Sequence, residues 1–258
     1  MRKRFRILLV VLLVAVLGGL AWQVLRPREP VYEGKTLSAW LADSHHMAEA
    51  QEAREAVHKM GTNTFPTLLR MLRKRDSDLK LRLVRFARKQ HFITIRFISA
   101  SKPNEEAVAA FRILGAEGKG AVPGLIEIYD QHLSPKSQME TANALAWIGP
   151  AAQSAVPSLL RETNNTNNQV RANALRALGL IHAAPNRVVP VLIKALSEHD
   201  HDVRSLAAQS LGYYQAEAKC GVPALTELLR DRSALVREIA GNSLRKIDPE
   251  AAAKAGVK

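Results

Sequence analysis

The chain has 258 residues, 47% of them apolar and 5% aromatic, which leaves room for one domain, or two small ones, with a real core. Cys220 is the single cysteine, so an intrachain disulfide and a cysteine metal cage are both excluded. The net charge of +13 resembles a nucleic-acid signal until it is located: residues 1–28 carry +6, 29–69 carry −3, 70–102 carry +9 and 103–258 only +1.

Arg2, Lys3, Arg4 and Arg6 make residues 1–6 a basic n-region. Residues 7–25 follow with Gln23 as the one strongly polar side chain and Trp22 near the end. A helix of that length reaches roughly 28 Å, about one hydrocarbon core. Trp22 suits an interfacial position, and Arg26 and Arg28 close the span. The expectation is a transmembrane signal-anchor in the inner membrane, N-terminus cytoplasmic and remainder extracytoplasmic. A cleavable signal peptide competes, although Gly19-Leu20-Ala21 is a poor cleavage site and the run is long for an h-region. An extracytoplasmic placement disfavours nucleic acid as the partner.

Residues 26–47 are expected to form a linker and a short lead-in helix. The stretch 27–35 carries Pro27, Pro30 and Gly34 as linker punctuation, and Thr36 can cap a helix over 37–41. A repeat domain then spans 48–258. Its first long helix is expected over 48–60, ended by Gly61, with an antiparallel partner over 66–73 opened by Pro66.

The same pattern recurs with a period of about 33 residues. Pro157, Pro190 and Pro223 are 33 apart, Pro123 lies 34 before the first, and Pro66 is 57 before that. Leucine stands two residues after each: Leu68, Leu125, Leu159, Leu192 and Leu225. First helices are expected to end at Gly61, Gly115, Gly149, Gly179 and Gly212. Alanine precedes each of these by five residues: Ala56, Ala110, Ala144, Ala174 and Ala207. A small residue at a fixed place implies close helix–helix approach. Self-similarity at this period predicts an all-α, right-handed superhelical solenoid of helix pairs. Residues 79–98 fit as a degenerate or elongated repeat, 164–168 as an Asn-rich turn, and Asp248-Pro249 as the start of a capping helix.

The unit resembles the HEAT family of helical repeats in its bacterial lyase-like subtype. The family pattern is proline, Asp eight residues on, then Val and a basic residue at thirteen and fourteen. Pro223, Asp231, Val236 and Arg237 match in full; Pro190, Glu198, Val203 and Arg204 match with Glu for Asp; Pro157, Asn165, Val170 and Arg171 lack the acid. Pro66 keeps only Lys80, and Pro123, aligned with Gln131 and Ser137, keeps neither charge. The resemblance, covering about residues 48–247, implies an Asp–Arg ladder between repeats that is weak in the first third. With its apolar N-terminus and the lead-in at 34–41, the whole chain resembles uncharacterised membrane-anchored bacterial HEAT-repeat proteins.

The family includes enzymes, and several residue runs could in principle carry chemistry. No His is followed by Glu, which removes the metal dyads of the family's hydroxylases. His199-Asp200-His201-Asp202 has alternating ligands but sits where a polar turn is needed. Cys220 occupies the slot of Ser154 and Gly120 and reads as a small packing residue. Gly115, Gly118 and Gly120 follow no strand and lie in the inter-helix turn. Bilin lyases share the repeat type, but no local signature carries that activity over. The expectation is a scaffold for a protein or peptide partner, with no cofactor and no catalysis of its own. An enzyme of unrecognised chemistry is one alternative. A polyanion or anionic-lipid binder through residues 70–102, using Arg82, Arg85 and Lys89, is another. The solenoid's concave face is expected to be lined by second helices. Four residues after each proline, Arg70, Glu127, Arg161, Lys194 and Glu227 are expected to point away from the core and form the partner site.

Overall fold

The computed structural model describes Leu13 and residues 29–43, 49–76 and 101–257. The expected span over 7–25, Leu13 apart, lies outside these residues, as do the degenerate repeat over 79–98 and the basic residues Arg82, Arg85 and Lys89. Among the described residues no helix is long and apolar enough to cross a membrane.

The expected linker is partly structured. Glu33 and Gly34 both take positive φ, 47° and 77°, the geometry of a two-residue hairpin turn. They join β1 (Val31–Tyr32) to an antiparallel β2 (Lys35–Thr36). This ribbon is a small departure from an all-α chain. It is held onto α1 (Leu37–Asp43) by Trp40, whose Nε1 donates to the Tyr32 carbonyl at 3.1 Å while Lys35 lies 4.5 Å over its ring. Thr36 Oγ1 accepts from the Ala39 amide at 3.4 Å, the expected capping contact.

Helix pairs follow. First helices are α2 (Glu49–Met60), α4 (Ser101–Leu114), α6 (Pro135–Ile148), α8 (Asn168–Ile181), α10 (His201–Tyr214) and α12 (Ala234–Ile247). Second helices are α3 (Phe65–Leu72), α5 (Val122–Asp130), α7 (Val156–Glu162), α9 (Pro185–Ala195) and α11 (Val222–Leu228), and α13 (Pro249–Lys254) closes the stack. Between the two layers lies the core. Leu68, Leu125, Leu159, Leu192 and Leu225 are all fully buried in it, as expected.

Two parts of the repeat reading are corrected. At Gly61, Gly115 and Gly149 the chain does leave its helix through positive φ and enters a short 3-10 segment. In the next two units the equivalent turn falls on His182 (φ 50°) and Gln215 (φ 48°), so α8 and α10 run past Gly179 and Gly212. These two glycines serve packing. A Cβ on Gly179 would lie 2.6 Å from Ser210 Cβ, and one on Gly212 2.8 Å from Ser243 Oγ. The true small-residue column is Ala56, Ala110, Ala144, Ala177, Ser210 and Ser243, every member buried; Ala174 and Ala207 are buried about one turn earlier. Pro190 is the second correction: α9 starts at Pro185, which leaves Pro190 inside the helix.

From α4 to α12 neighbouring first helices pack along their lengths, while second helices of adjacent repeats touch sparsely. A curved stack bends toward its closer-packed layer, so the first helices line the inner side. This reverses the expected placement of the second helices.

Candidate functional site

On the second helices, Glu127, Arg161, Lys194 and Glu227 are exposed and Arg70 is half-buried. The column therefore points away from the core as expected, but it faces the outer side. Part of it is engaged within the protein. Arg73 Nη2 donates to Glu127 Oε1 at 2.9 Å, Arg161 Nη2 donates to Asp130 Oδ1 at 2.9 Å, and Arg70 lies 3.9 Å from Glu29. Pairs this exposed contribute little to stability, typically below about 1 kcal/mol.

The ladder implied by the repeat pattern is present and is built into the stack. Arg204 donates through Nε and Nη2 to both Asp231 oxygens, at 2.8 and 2.9 Å, and through Nη1 to the carbonyls of Glu198 and His199. Arg171 repeats the arrangement on the carbonyls of Asn165 and Thr166, with Glu198 3.3 Å away. The Arg204 guanidinium holds the Asp231 carboxyl below the usual carboxylate range. One unit earlier the places are taken by His132 and Gln138, not by Gln131 and Ser137 as the sequence alignment had them, because that repeat is one residue longer. His132 Nε2 lies 2.9 Å from Glu162 Oε1, and Gln138 Nε2 donates to Glu162 Oε2. The Glu162 contact, with the Asp130 carbonyl on Nδ1, raises the His132 pKa. Burial pushes the Glu162 carboxyl up, but donors from His132 and Asn165 outweigh it and hold the carboxyl low.

Asp200 caps α10, accepting from the amides of Asp202 and Val203, so the His199–Asp202 run is a helix start. Cys220 is exposed. Ser154 and Gly120 in the same slot are exposed too, which overturns the packing role expected for that position.

The inner side holds residues that sequence reasoning missed. Trp147 is 40% exposed at the end of α6. One turn back, Asn143 Oδ1 accepts from Arg176 Nη2 of α8. Arg112 lies 5.9 Å from the Trp147 ring centroid and Lys246 5.6 Å from that of Tyr213. Burial pushes the Arg176 guanidinium below the usual arginine range. Beside it, Asn173, Leu206, Leu235 and Ile239 line a depression of about 380 Å³ across α8, α10 and α12. The signal was available in the repeat register: Trp147, Leu180, Tyr213 and Lys246 recur 33 apart. Gly179 and Gly212 stand three residues before His182 and Gln215, the positions equivalent to Gly149, and so mask this register.

No functionally curated protein matches the chain. Among solved structures, an engineered protein aligns at 20% identity over 83% of this chain and 99% of its own, with a TM-score of 0.52. A designed armadillo repeat protein aligns at 17% identity over 82% of this chain and 98% of its own, with a TM-score of 0.47. The first of these likenesses supports the helical repeat fold and nothing finer. The family profile described as HEAT repeats matches residues 122–212 and again 189–255. Those matches cover just over half of the chain and carry the proline, leucine and Val-Arg columns laid out above, so the chain belongs to the HEAT-repeat family.

Proposed function

We propose that this chain is a membrane-anchored, extracytoplasmic scaffold of the lyase-like HEAT subtype that holds a protein or peptide partner and performs no chemistry of its own. The observation that carries the reading is the inner first-helix face. Asn143, Asn173, Arg176, Leu206, Tyr213 and Ile239 are only half-buried there and lie in register across the stacked repeats. A rigid face of mixed polar and apolar side chains, repeated at fixed spacing, suits an extended partner chain more than a single small substrate. Anchoring rests on the basic residues Arg2, Lys3, Arg4 and Arg6 before the apolar run over 7–25.

Two measurements test this. A reporter fused after Lys258 should score as extracytoplasmic and the full chain should sediment with membranes; a cytoplasmic score would reverse the localisation. The full chain, crosslinked in cells and recovered under denaturing conditions, should retain a discrete protein partner. The outer column of Arg70, Glu127, Arg161, Lys194 and Glu227 is the competing surface. Arg161→Glu with Lys194→Glu leaves retention intact if the inner face is used and abolishes it if the outer face is.

A further inference from the structure

Arg176 is an unusual cation. Among the described residues no carboxylate lies within ion-pair distance of it. Its one hydrogen-bond partner is the neutral amide oxygen of Asn143. The carboxylate nearest in the chain's own register, Glu140, is already taken: Lys136 Nζ lies 2.7 Å from it, and Asn143 Nδ2 donates to it at 3.1 Å. Asn143 thus turns its donor toward Glu140 and its acceptor toward Arg176, which leaves further guanidinium donors for another group. Glu140 attracts Arg176 only from beyond ion-pair distance; a half-buried cation with no carboxylate in direct contact is costly to desolvate, and an incoming carboxylate offsets that cost with paired, charge-assisted hydrogen bonds.

The surroundings at the C-terminal ends of the first helices are basic, while Asp200 and Asp202 edge the depression at the start of α10. Arg112, Arg245 and Lys246 lie with Arg176 on the C-terminal halves of the first helices, and two of them are ordered over the Trp147 and Tyr213 rings. One turn from Arg176 along α8, Asn173 borders the depression whose floor includes Leu206 and Ile239. A cationic centre therefore lies one helical turn from a hollow with apolar walls and an edge formed by Asp200 and Asp202.

We propose that this face binds an extended acidic peptide segment of the partner, with one carboxylate on Arg176 and a neighbouring apolar side chain in the hollow beside Leu206 and Ile239. The inference rests on the partner-binding reading above and adds the partner's chemistry to it.

The test uses the full chain in a mild nonionic detergent and three fluorescent ten-residue peptides, alternating leucine with glutamate, glutamine or lysine. Fluorescence polarisation should show binding of the glutamate peptide and not of the lysine peptide. Arg176→Gln should weaken it by at least about tenfold, the usual consequence of stranding a desolvated charge partner, and Arg176→Lys should weaken it less. Trp147→Ala, at an exposed position, is a second variant that should weaken binding with an unchanged melting temperature. The outer reversal of Arg161 and Lys194 should leave it unchanged. Equal affinity for the glutamate and glutamine peptides overturns the proposal, as does indifference to both Arg176→Gln and Trp147→Ala. Equal competition by an oligothymidylate of the same length also overturns it, in favour of a site that accepts any polyanion. A cell-derived partner that is retained while the glutamate peptide fails would sink the acidic chemistry alone and leave the scaffold reading standing.

Discussion

Arg204 is 5% exposed and makes four hydrogen bonds, two to the Asp231 carboxylate and two to backbone carbonyls of the preceding turn. Removing its acid strands a largely buried charge, so Asp231→Ala is expected to cost about 3 kcal/mol in urea unfolding. Asp130→Ala, which breaks the exposed pair with Arg161, should cost under about 1 kcal/mol. The sign of the pH dependence follows from the Asp231 shift. Its folded pKa is lowered, so the contribution is present above the unfolded value of about 3.9 and is lost as pH falls through the folded one. His132 behaves oppositely: its folded pKa is raised, so its contribution is complete below about 6.5 and is lost as pH rises through the folded value. Melting curves from pH 5 to 9 should therefore decline less steeply for His132→Gln than for the parent chain.

At the scale of the element, α8 and α10 show how a glycine can be kept for what lies opposite it. Glycine inside a helix costs about 1 kcal/mol relative to alanine, so Gly179→Ala would stabilise an isolated α8. In the stack the new Cβ meets Ser210 Cβ at 2.6 Å and Ser210 Cα at 2.8 Å, and the backbone atom cannot swing aside. Overpacking of this kind costs about 1–3 kcal/mol, so the net effect expected in thermal unfolding is a loss. Adding Ser210→Gly should recover part of it. Capping makes a simpler case: Asp200→Ala removes the acceptor of two α10 amides and is expected to cost about 1 kcal/mol.

In a solenoid, the whole molecule's stability is close to a sum of repeat terms and neighbour interfaces. The interfaces from α6 to α12 combine close first-helix packing with the Arg171 and Arg204 ladder. Among the described residues, the ion pair joining α2 to the turn after α4, His58 with Glu117, is exposed on both sides. Native-state hydrogen exchange should accordingly show slower amides in α8, α10 and α12 than in α2 and α3. Leu192→Ala, at a fully buried core position between the layers, should cost on the order of 2–5 kcal/mol. A transition that stays single and cooperative after that change would show that the repeats unfold together; separate transitions would show that α8 to α12 hold independently of the rest.

Local grammar carried most of the fold. The 33-residue period, the leucine two places after each proline, and the capping residues Thr36 and Asp248 act within a few residues of themselves, and each did in the structure what its chemistry dictated. The positions left to tertiary structure depend on partners a repeat away. Whether a glycine turns the chain or admits a neighbour depends on the residue facing it: Gly149 has positive φ and only the Leu180 carbonyl oxygen 4.0 Å from where a Cβ would stand, while Gly179 has Ser210 at 2.6 Å. The spacing of 30 between those two glycines, against 33 between the prolines, already shows that they are not the same position. Which layer faces inward depends on how closely each layer packs, a sum over six first helices that no single helix encodes. Arg176 is the sharpest instance. Its place in the sequence matches any surface arginine, and only the engagement of Glu140 by Lys136 and Asn143 leaves it with no carboxylate in direct contact.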